Sequence, residues 1–295
     1  MDALADRYEI RAELGQGGMA VVYLAHDHKH DRPVALKVVR PELRLSLGPA
    51  RFLREIQIAA RLTHPNILPL YDSGEVGGTL FYAMPFLEGE SLRDLLNREG
   101  QLPVADAIRI ARQVADALAY AHSMGVVHRD IKPENIVVGP WGEVLLLDWG
   151  LAKVWDRVKE IHPSGEKTDP EDKSLTAQGP LQATPLYMSP EQIAEAKDLD
   201  HRTDIYSLGA VLFELLTLEH LAWGETLDEM LDNTQNRPAP APSSVSPNRE
   251  IPSLLETICL RCVQKDPDYR IQNVKELIHE LLYWRRIHVM RRPET

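Results

Sequence analysis

The chain has 295 residues, 44% hydrophobic and 26% charged, with a net charge of −11. This is length enough for one large domain or two modest ones around a sizeable core, and the negative balance excludes nucleic acid as the main partner, because a phosphate backbone demands a basic surface. Two cysteines cannot build a disulfide framework, no apolar run approaches the length of a membrane span, and the start "MDALADRYEI" lacks the apolar core of a secretory signal, so the expected compartment is a reducing cytoplasm.

In chain order, residues 8 to 40 read as short strands, "YEIRAEL", "AVVYLAH" and "RPVALKVVR", with period-2 alternation and glycine or proline at the breaks. Between the first two, "LGQGGMAVVYLA" crowds Gly15, Gly17 and Gly18 into four positions. A phosphate loop of the form G-x-G-x-x-G would carry a third glycine at position 20, where Ala20 stands; alone, the stretch reads equally as a hairpin turn. "HDHKHD" spaces His26, His28 and His30 as a strand would to offer a metal one face, but the interleaved charges and Pro33 favour a solvated turn. "ARFLREIQIAARL" is helical, with Phe52, Ile56, Ala59 and Ala60 along one stripe. Two more strands, "LPLYDSGE" and "TLFYAMPF", are joined through Gly77 and Gly78.

From Ser91 helices take over. "PVADAIRIARQVADALAYAHSMG" turns Ile108, Ala111, Val114, Leu118 and Ala121 inward and stops at Gly125. "DIYSLGAVLFELLT" is apolar nearly all round and is expected to be a buried central helix. "RPAPAPSSVSP" reads as a surface connection. In "LLETICLRCVQK" the pair Cys259 and Cys262 has a C-x-x-C spacing, but no second pair of ligands lies at zinc-finger spacing, and helical periodicity places Leu255, Ile258 and Cys262 on one buried face. No internal repeat is present. The expectation is an α+β chain of two lobes: a small antiparallel sheet with one helix over 1–85, a connection over 86–90, a larger mainly helical lobe over 91–284, and a basic tail over 285–295 carrying Arg285, Arg286, Arg291 and Arg292. A cleft between such lobes is a natural ligand site.

Three stretches then fall into one order: "VALK" ending in Lys37, "VVHRDIKPENIVV", and "LLLDWG" with Asp148. Together with the glycine loop and the Pro190–Glu191 pair, the chain resembles the eukaryotic-type protein kinase family over nearly its whole length, and "GGMAVVYLA", "HPNIL" and "YMSPEQ" look most like the bacterial Ser/Thr branch. A lone G-x-G-x-x-G is weak; this ordered set is specific. The resemblance implies a bilobal kinase fold and transfer of the γ-phosphoryl group of ATP to Ser or Thr hydroxyls of protein substrates, with Mg²⁺, or Mn²⁺ in its place, as the metal.

On this reading the loop Leu14, Gly15, Gln16, Gly17 and Gly18 lies over the phosphates, and Ala20 falls past the closest approach. Lys37 reaches the α- and β-phosphates and pairs with Glu55. Val22 and Ala35 line the adenine slot from above and Val137 from below; Met84 guards its back, while the Pro85 carbonyl and the Leu87 N–H bond the base. Asp148 and Asn135 hold metal, Asp130 orients the substrate hydroxyl and accepts its proton, and Lys132 neutralises the transferring phosphate. His128 is structural, packing beneath the Asp148 loop. Lys132 and Thr184 carry the Ser/Thr preference.

Besides Ala20, two residues depart from the family pattern: Trp149 replaces Phe, with Ala59 making room for it, and Ser189 replaces Ala. Glu191 is expected to pair with Arg270, and Asp204 to anchor the catalytic-loop backbone. The polar segment from Asp148 to Glu191 offers Ser164, Thr168, Ser174 and Thr176 for phosphorylation, of which Thr176 fits best as an anion for Arg129, placed in trans by a transient homodimer. Two alternatives stay open: a pseudokinase scaffold, and a small-molecule phosphotransferase of related fold. The chain could also be the cytoplasmic part of a longer membrane protein.

Overall fold

The computed structural model describes residues 6–16, 20–40, 48–76, 78–149, 152–154, 185–196 and 198–289, without the side chains of residues 48–51, 54, 55, 153, 154 and 289. Strands β1 (Tyr8–Gln16), β2 (Ala20–Asp27), β3 (Arg32–Val39), β4 (Asp72–Val76) and β5 (Thr79–Pro85) form one antiparallel sheet in the order β1-β2-β3-β5-β4. Val22 pairs with Lys37 and Lys37 with Tyr82, while Leu24 pairs with Ala35 and Ala35 with Met84. Residues directly opposite one another share a face, as do residues two apart. Val22, Ala35, Lys37 and Met84 therefore project from a single face. The other face is sealed by a cluster of Tyr8, Ala25, Val34, Leu36, Val38, Phe81 and Ala83.

Helix α1 (Gly48–Ala59) packs Phe52 and Ile56 against Ala20, Val39 and Tyr82. It ends one residue short of Ala60, which is exposed, and Ile58 is buried in its stead. The fourth strand also starts later than its sequence reads: Pro69 has no N–H to give a ladder, and pairing opens at Asp72 opposite Ala83. His26 lies inside β2 opposite Pro33, so only His28 and His30 of the histidine trio fall in the turn. His30 bonds Asp27 at 2.7 Å and His26 bonds Asp31 at 3.0 Å.

The larger lobe is helical: α2 (Leu92–Glu99), α3 (Val104–Ser123), α4 (Pro190–Ile193), α5 (Arg202–Thr217), α6 (Leu227–Asn236), α7 (Pro242–Val245), α8 (Ser253–Cys262) and α9 (Val274–Val289). Ser91 caps α2 by accepting from the Asp94 N–H. Gly125, at φ 73°, supplies the left-handed turn that ends α3. The "LFELLT" helix is central as expected, with 15 of the 16 residues of α5 buried. Gly209 lets α8 approach it closely, since a Cβ there would fall 2.5 Å from Cys262 Cβ. Both cysteines are fully buried free thiols in this contact, and Cys259 Sγ donates to the Gly209 carbonyl at 3.6 Å. Burial raises both thiol pKa values, which makes them packing groups. Short strands β6 (Glu90–Ser91), β8 (Ile136–Val138) and β9 (Val144–Leu146) form a second sheet, and β7 (Val126–Val127) pairs with β10 (Lys153–Val154). The lobes are stitched by a bridge between Ile67 and Leu146, and Ile58, Leu62 and Ile67 belong to the large helical core. Among the described residues no helix is long and apolar enough to cross a membrane.

Candidate active site

The site grows from the segment between β7 and β8. After Val127 the chain turns sharply, with Arg129 in the left-handed region at φ 70°. The turn is held from below by Asp204, fully buried at the start of α5. Its carboxylate accepts the His128 N–H at 2.9 Å and the Arg129 N–H at 2.8 Å, and bonds His122 Nε2 at 2.7 Å. Burial opposes the charge on Asp204, but the His122 bond and the loop amides outweigh it and hold the carboxyl below its ordinary value. His128 is structural: Nε2 lies 2.9 Å from the Leu147 carbonyl, which can only accept, and Nδ1 accepts from the Asp130 N–H at 3.2 Å. The ring is thus the Nε2–H tautomer, and it ties the Asp130 loop to the strand that ends at Asp148.

Pro133 opens a single 3-10 turn, Pro133–Asn135, its fixed φ suited to the first position. This turn brings three of the expected site side chains together. Lys132 Nζ lies 3.0 and 2.8 Å from the two carboxylate oxygens of Asp130. Asn135 Nδ2 donates to the Asp130 carbonyl at 2.8 Å and to its Oδ2 at 2.9 Å. The Leu147 N–H donates to the Asn135 carbonyl at 2.8 Å, fixing Asn135 beside the approach to Asp148. Asp148 adopts φ 59°, and Lys37 Nζ reaches its Oδ1 at 3.7 Å from the sheet above. Two non-glycine residues held in the left-handed region, both at this centre, mark strain maintained by surrounding structure.

The amide of Asn135 uses its nitrogen on Asp130, and its oxygen accepts no hydrogen bond among the described residues. That oxygen and the Asp148 carboxylate are hard donors of the kind magnesium takes. No group of three or more His, Cys, Asp and Glu among the described residues could hold an ion. A metal at Asp148 and Asn135 would therefore need phosphate oxygens and water to complete its shell, which fits a nucleotide-bound ion. A Cβ built on Gly15 would meet nothing within 4 Å among the described residues, so their packing does not demand glycine there. Gln16 is fixed by Arg40, which donates to its Oε1 at 2.9 Å. Gly17, Gly18, Thr184 and the four hydroxyls from Ser164 to Thr176 lie outside the described residues, as does the side chain of Glu55.

Trp149 is buried at 3% exposure and meets the His128 ring edge-on at 4.5 Å. Ser189 proves to be a helix cap: it accepts from the Gln192 N–H, and Gln192 Oε1 accepts from the Ser189 N–H. Gln192 Nε2 also donates to the Arg129 carbonyl at 2.8 Å, linking α4 to the loop that carries Asp130. The expected pair is present, with Arg270 donating to both oxygens of Glu191 at 2.6 Å.

Sequence reasoning missed a second polar centre. Arg93 donates to Glu134 at 3.0 Å, to Glu214 at 2.6 Å and to the Tyr187 hydroxyl, and Tyr187 donates to Glu214. The available signal was Glu214 itself, the one charged residue in the apolar run from Ile205 to Thr217, which must find a cation.

A family model described as the protein kinase domain matches residues 8–282. The serine/threonine-protein kinase PknD of Protochlamydia amoebophila is 37% identical over 292 residues, covering 94% of this chain and 30% of that protein. PknD of Chlamydia muridarum is 36% identical over 297 residues, 92% of this chain and 31% of that protein. The chain thus spans about a third of the length of these curated relatives. The match runs through the sheet that carries Lys37, the Asp130–Asn135 loop and the helix that suspends it, and on that ground the chain belongs to the protein kinase family.

Proposed function

We propose that the chain is an ATP-dependent Ser/Thr protein kinase domain acting in the cytoplasm. The observation that carries this reading is the cluster at Asp130, whose carboxylate is gripped by Lys132 and Asn135 within 3.0 Å. A substrate hydroxyl at Asp130 would be oriented and give up its proton as its oxygen bonds the γ-phosphorus. The bond from that phosphorus to the bridging oxygen breaks, and ADP leaves with the electron pair. Lys132 stands on the carboxylate where the transferring phosphoryl group gathers charge. Lys37 would hold the α- and β-phosphates, with Glu55 as its partner, and the loop from Leu14 to Gly18 would lie over them. Val22, Ala35, Met84 and Val137 would enclose the adenine, which the Pro85 carbonyl and Leu87 N–H would bond.

Mg²⁺, or Mn²⁺ in its place, held by Asp148 and the Asn135 amide oxygen, would neutralise phosphate charge. Thr176, phosphorylated in trans by a second copy, would give Arg129 an anionic partner. The test is incubation with γ-labelled ATP and a generic protein substrate. Label should appear on Ser and Thr, and Asp130→Asn should keep the fold and ATP binding but lose turnover by about 10²–10⁴-fold. Turnover of the variant within threefold of wild type removes Asp130 from its role. A wild-type chain that binds ATP without transferring label would instead be a pseudokinase.

A further inference from the structure

Trp141 is the most exposed large apolar side chain among the described residues, at 92%. An indole that open is unusual, since tryptophan is highly buried on average. The backbone that carries it is held by hydrogen bonds. It sits in the turn between β8 and β9, whose Gly142 adopts φ 83°. Glu143 Oε2 accepts from the Trp141 N–H at 3.0 Å, the Gly139 N–H donates to the Glu143 carbonyl at 2.9 Å, and Arg109 and Gln113 both donate to the Gly142 carbonyl.

The indole borders a groove beside the connection between the lobes. Phe86, Leu145 and Pro140 give it apolar walls, and Glu88 and Glu143 bring carboxylates. Glu88 is exposed and has no hydrogen-bond or ion-pair partner among the described residues. Glu143 is folded back over Gly139, where a Cβ would fall 2.1 Å from its Oε1. Among the described residues no lysine, arginine or histidine lines the groove, so a phosphate or an acidic segment would meet only repulsion.

We propose that this groove docks a cationic segment of a partner protein. An arginine stacks on the Trp141 indole between Glu88 and Glu143, and a neighbouring aliphatic residue covers Phe86 and Leu145. Arginine suits the site better than lysine, because its planar head both stacks on indole and bonds carboxylates in a fork. The chain's net charge of −11 draws such a segment in from a distance. The preset turn spares the ordering cost that a mobile loop would add. The groove shares Leu87 and Val137 with the expected adenine slot, so separation from nucleotide binding is part of the test.

The probe is a fluorescein-labelled peptide Lys-Arg-Arg-Leu-Ala-Leu, with Glu-Glu-Glu-Leu-Ala-Leu as its counterpart, followed by fluorescence polarisation on the whole chain. The cationic peptide should bind saturably and the acidic one should not. Trp141→Ala and Glu88→Arg, both at exposed positions, should each weaken binding at least tenfold. Saturating nucleotide should leave binding in place, and turnover of a short unrelated substrate should stay within twofold. The proposal is overturned if either variant binds within threefold of wild type, if no saturable binding appears, or if nucleotide displaces the peptide. It is equally overturned if Trp141→Ala abolishes a concentration-dependent dimer while the peptide fails to bind, which would assign the groove to a second copy. None of these outcomes bears on phosphotransfer, which is read separately.

Discussion

Arg93 and Glu214 stand 121 residues apart in the chain and meet at 2.6 Å, one on α2 and the other deep in α5. Only 4% of the Glu214 side chain is exposed, so its charge depends on that guanidinium and on the hydroxyl of Tyr187. Removing one partner of a buried pair strands the other, at a cost of about 3–5 kcal/mol. Arg93→Met should lose that much in urea unfolding, and adding Glu214→Gln should recover a good part of it. A single variant within about 1 kcal/mol of wild type would mean that water or His220, 3.6 Å from Glu214, already compensates the carboxylate.

The metal assignment predicts a change in linkage. ATP should bind more tightly with Mg²⁺ present, and Asp148→Ala should abolish that dependence while leaving some nucleotide affinity through the sheet face of Lys37. Titration calorimetry with and without the ion reads both. A variant that still responds to Mg²⁺ as wild type does would move the metal to another carboxylate.

Glu191 predicts a pH dependence. Burial raises its pKa, but the hydrogen bonds and charge of Arg270, with the Thr203 hydroxyl, outweigh this and hold it below its ordinary 4.5. A carboxyl depressed on folding stabilises above its unfolded pKa, and that stability drains away as pH falls through the folded value. Wild type should therefore exceed Glu191→Gln by a constant margin from about pH 6 upward, and the margin should shrink below about pH 4.5. A margin that does not change between these limits would show that Arg270 is not what sets the charge state.

Ser189 stands where the family pattern usually has alanine, and here it closes a reciprocal cap with Gln192. Ser189→Ala should cost about 1 kcal/mol, the usual worth of such a cap. Thermal unfolding will measure it. Because Gln192 also holds the Arg129 carbonyl, a fall in turnover larger than the fall in stability is expected.

Much of this was legible in the sequence because the informative residues are close together or periodic. The alternation in "AVVYLAH" and "RPVALKVVR" is enough to put Val22, Ala35 and Lys37 on one face, and the solid apolar run of α5 announces its burial. The "HRDIKPEN" stretch holds Asp130, Lys132 and Asn135 within six residues, so one turn can gather them. What escaped was the long-range cluster around Glu214; the Glu191–Arg270 pair and the Asp204 anchor were expected from the family resemblance, not from spacing. Glu214 advertises a missing cation, but nothing in "SLRDLLNRE" distinguishes Arg93 from Arg98, which instead pairs with Glu90 at the surface. Ala60 failed for a local reason: the helix stops at Ala59, and a periodicity argument cannot see its own end.

Helix α5 carries Asp204 in its first turn and Glu214 ten residues on, and the two serve different clients. Asp204 sets the height of the loop at His128 and Arg129; Glu214 sets Tyr187, whose own carbonyl takes the Ser207 hydroxyl at 2.7 Å. The helix is in effect a ruler, and the separation between its marks, about 15 Å along the axis, is fixed by the rise per residue. One residue inserted between the marks would shift them by about 1.5 Å and turn one against the other by about 100°. Because the ruler is buried almost all round, it has no free face on which to absorb the error. An insertion between the two marks would therefore disturb both clients at once.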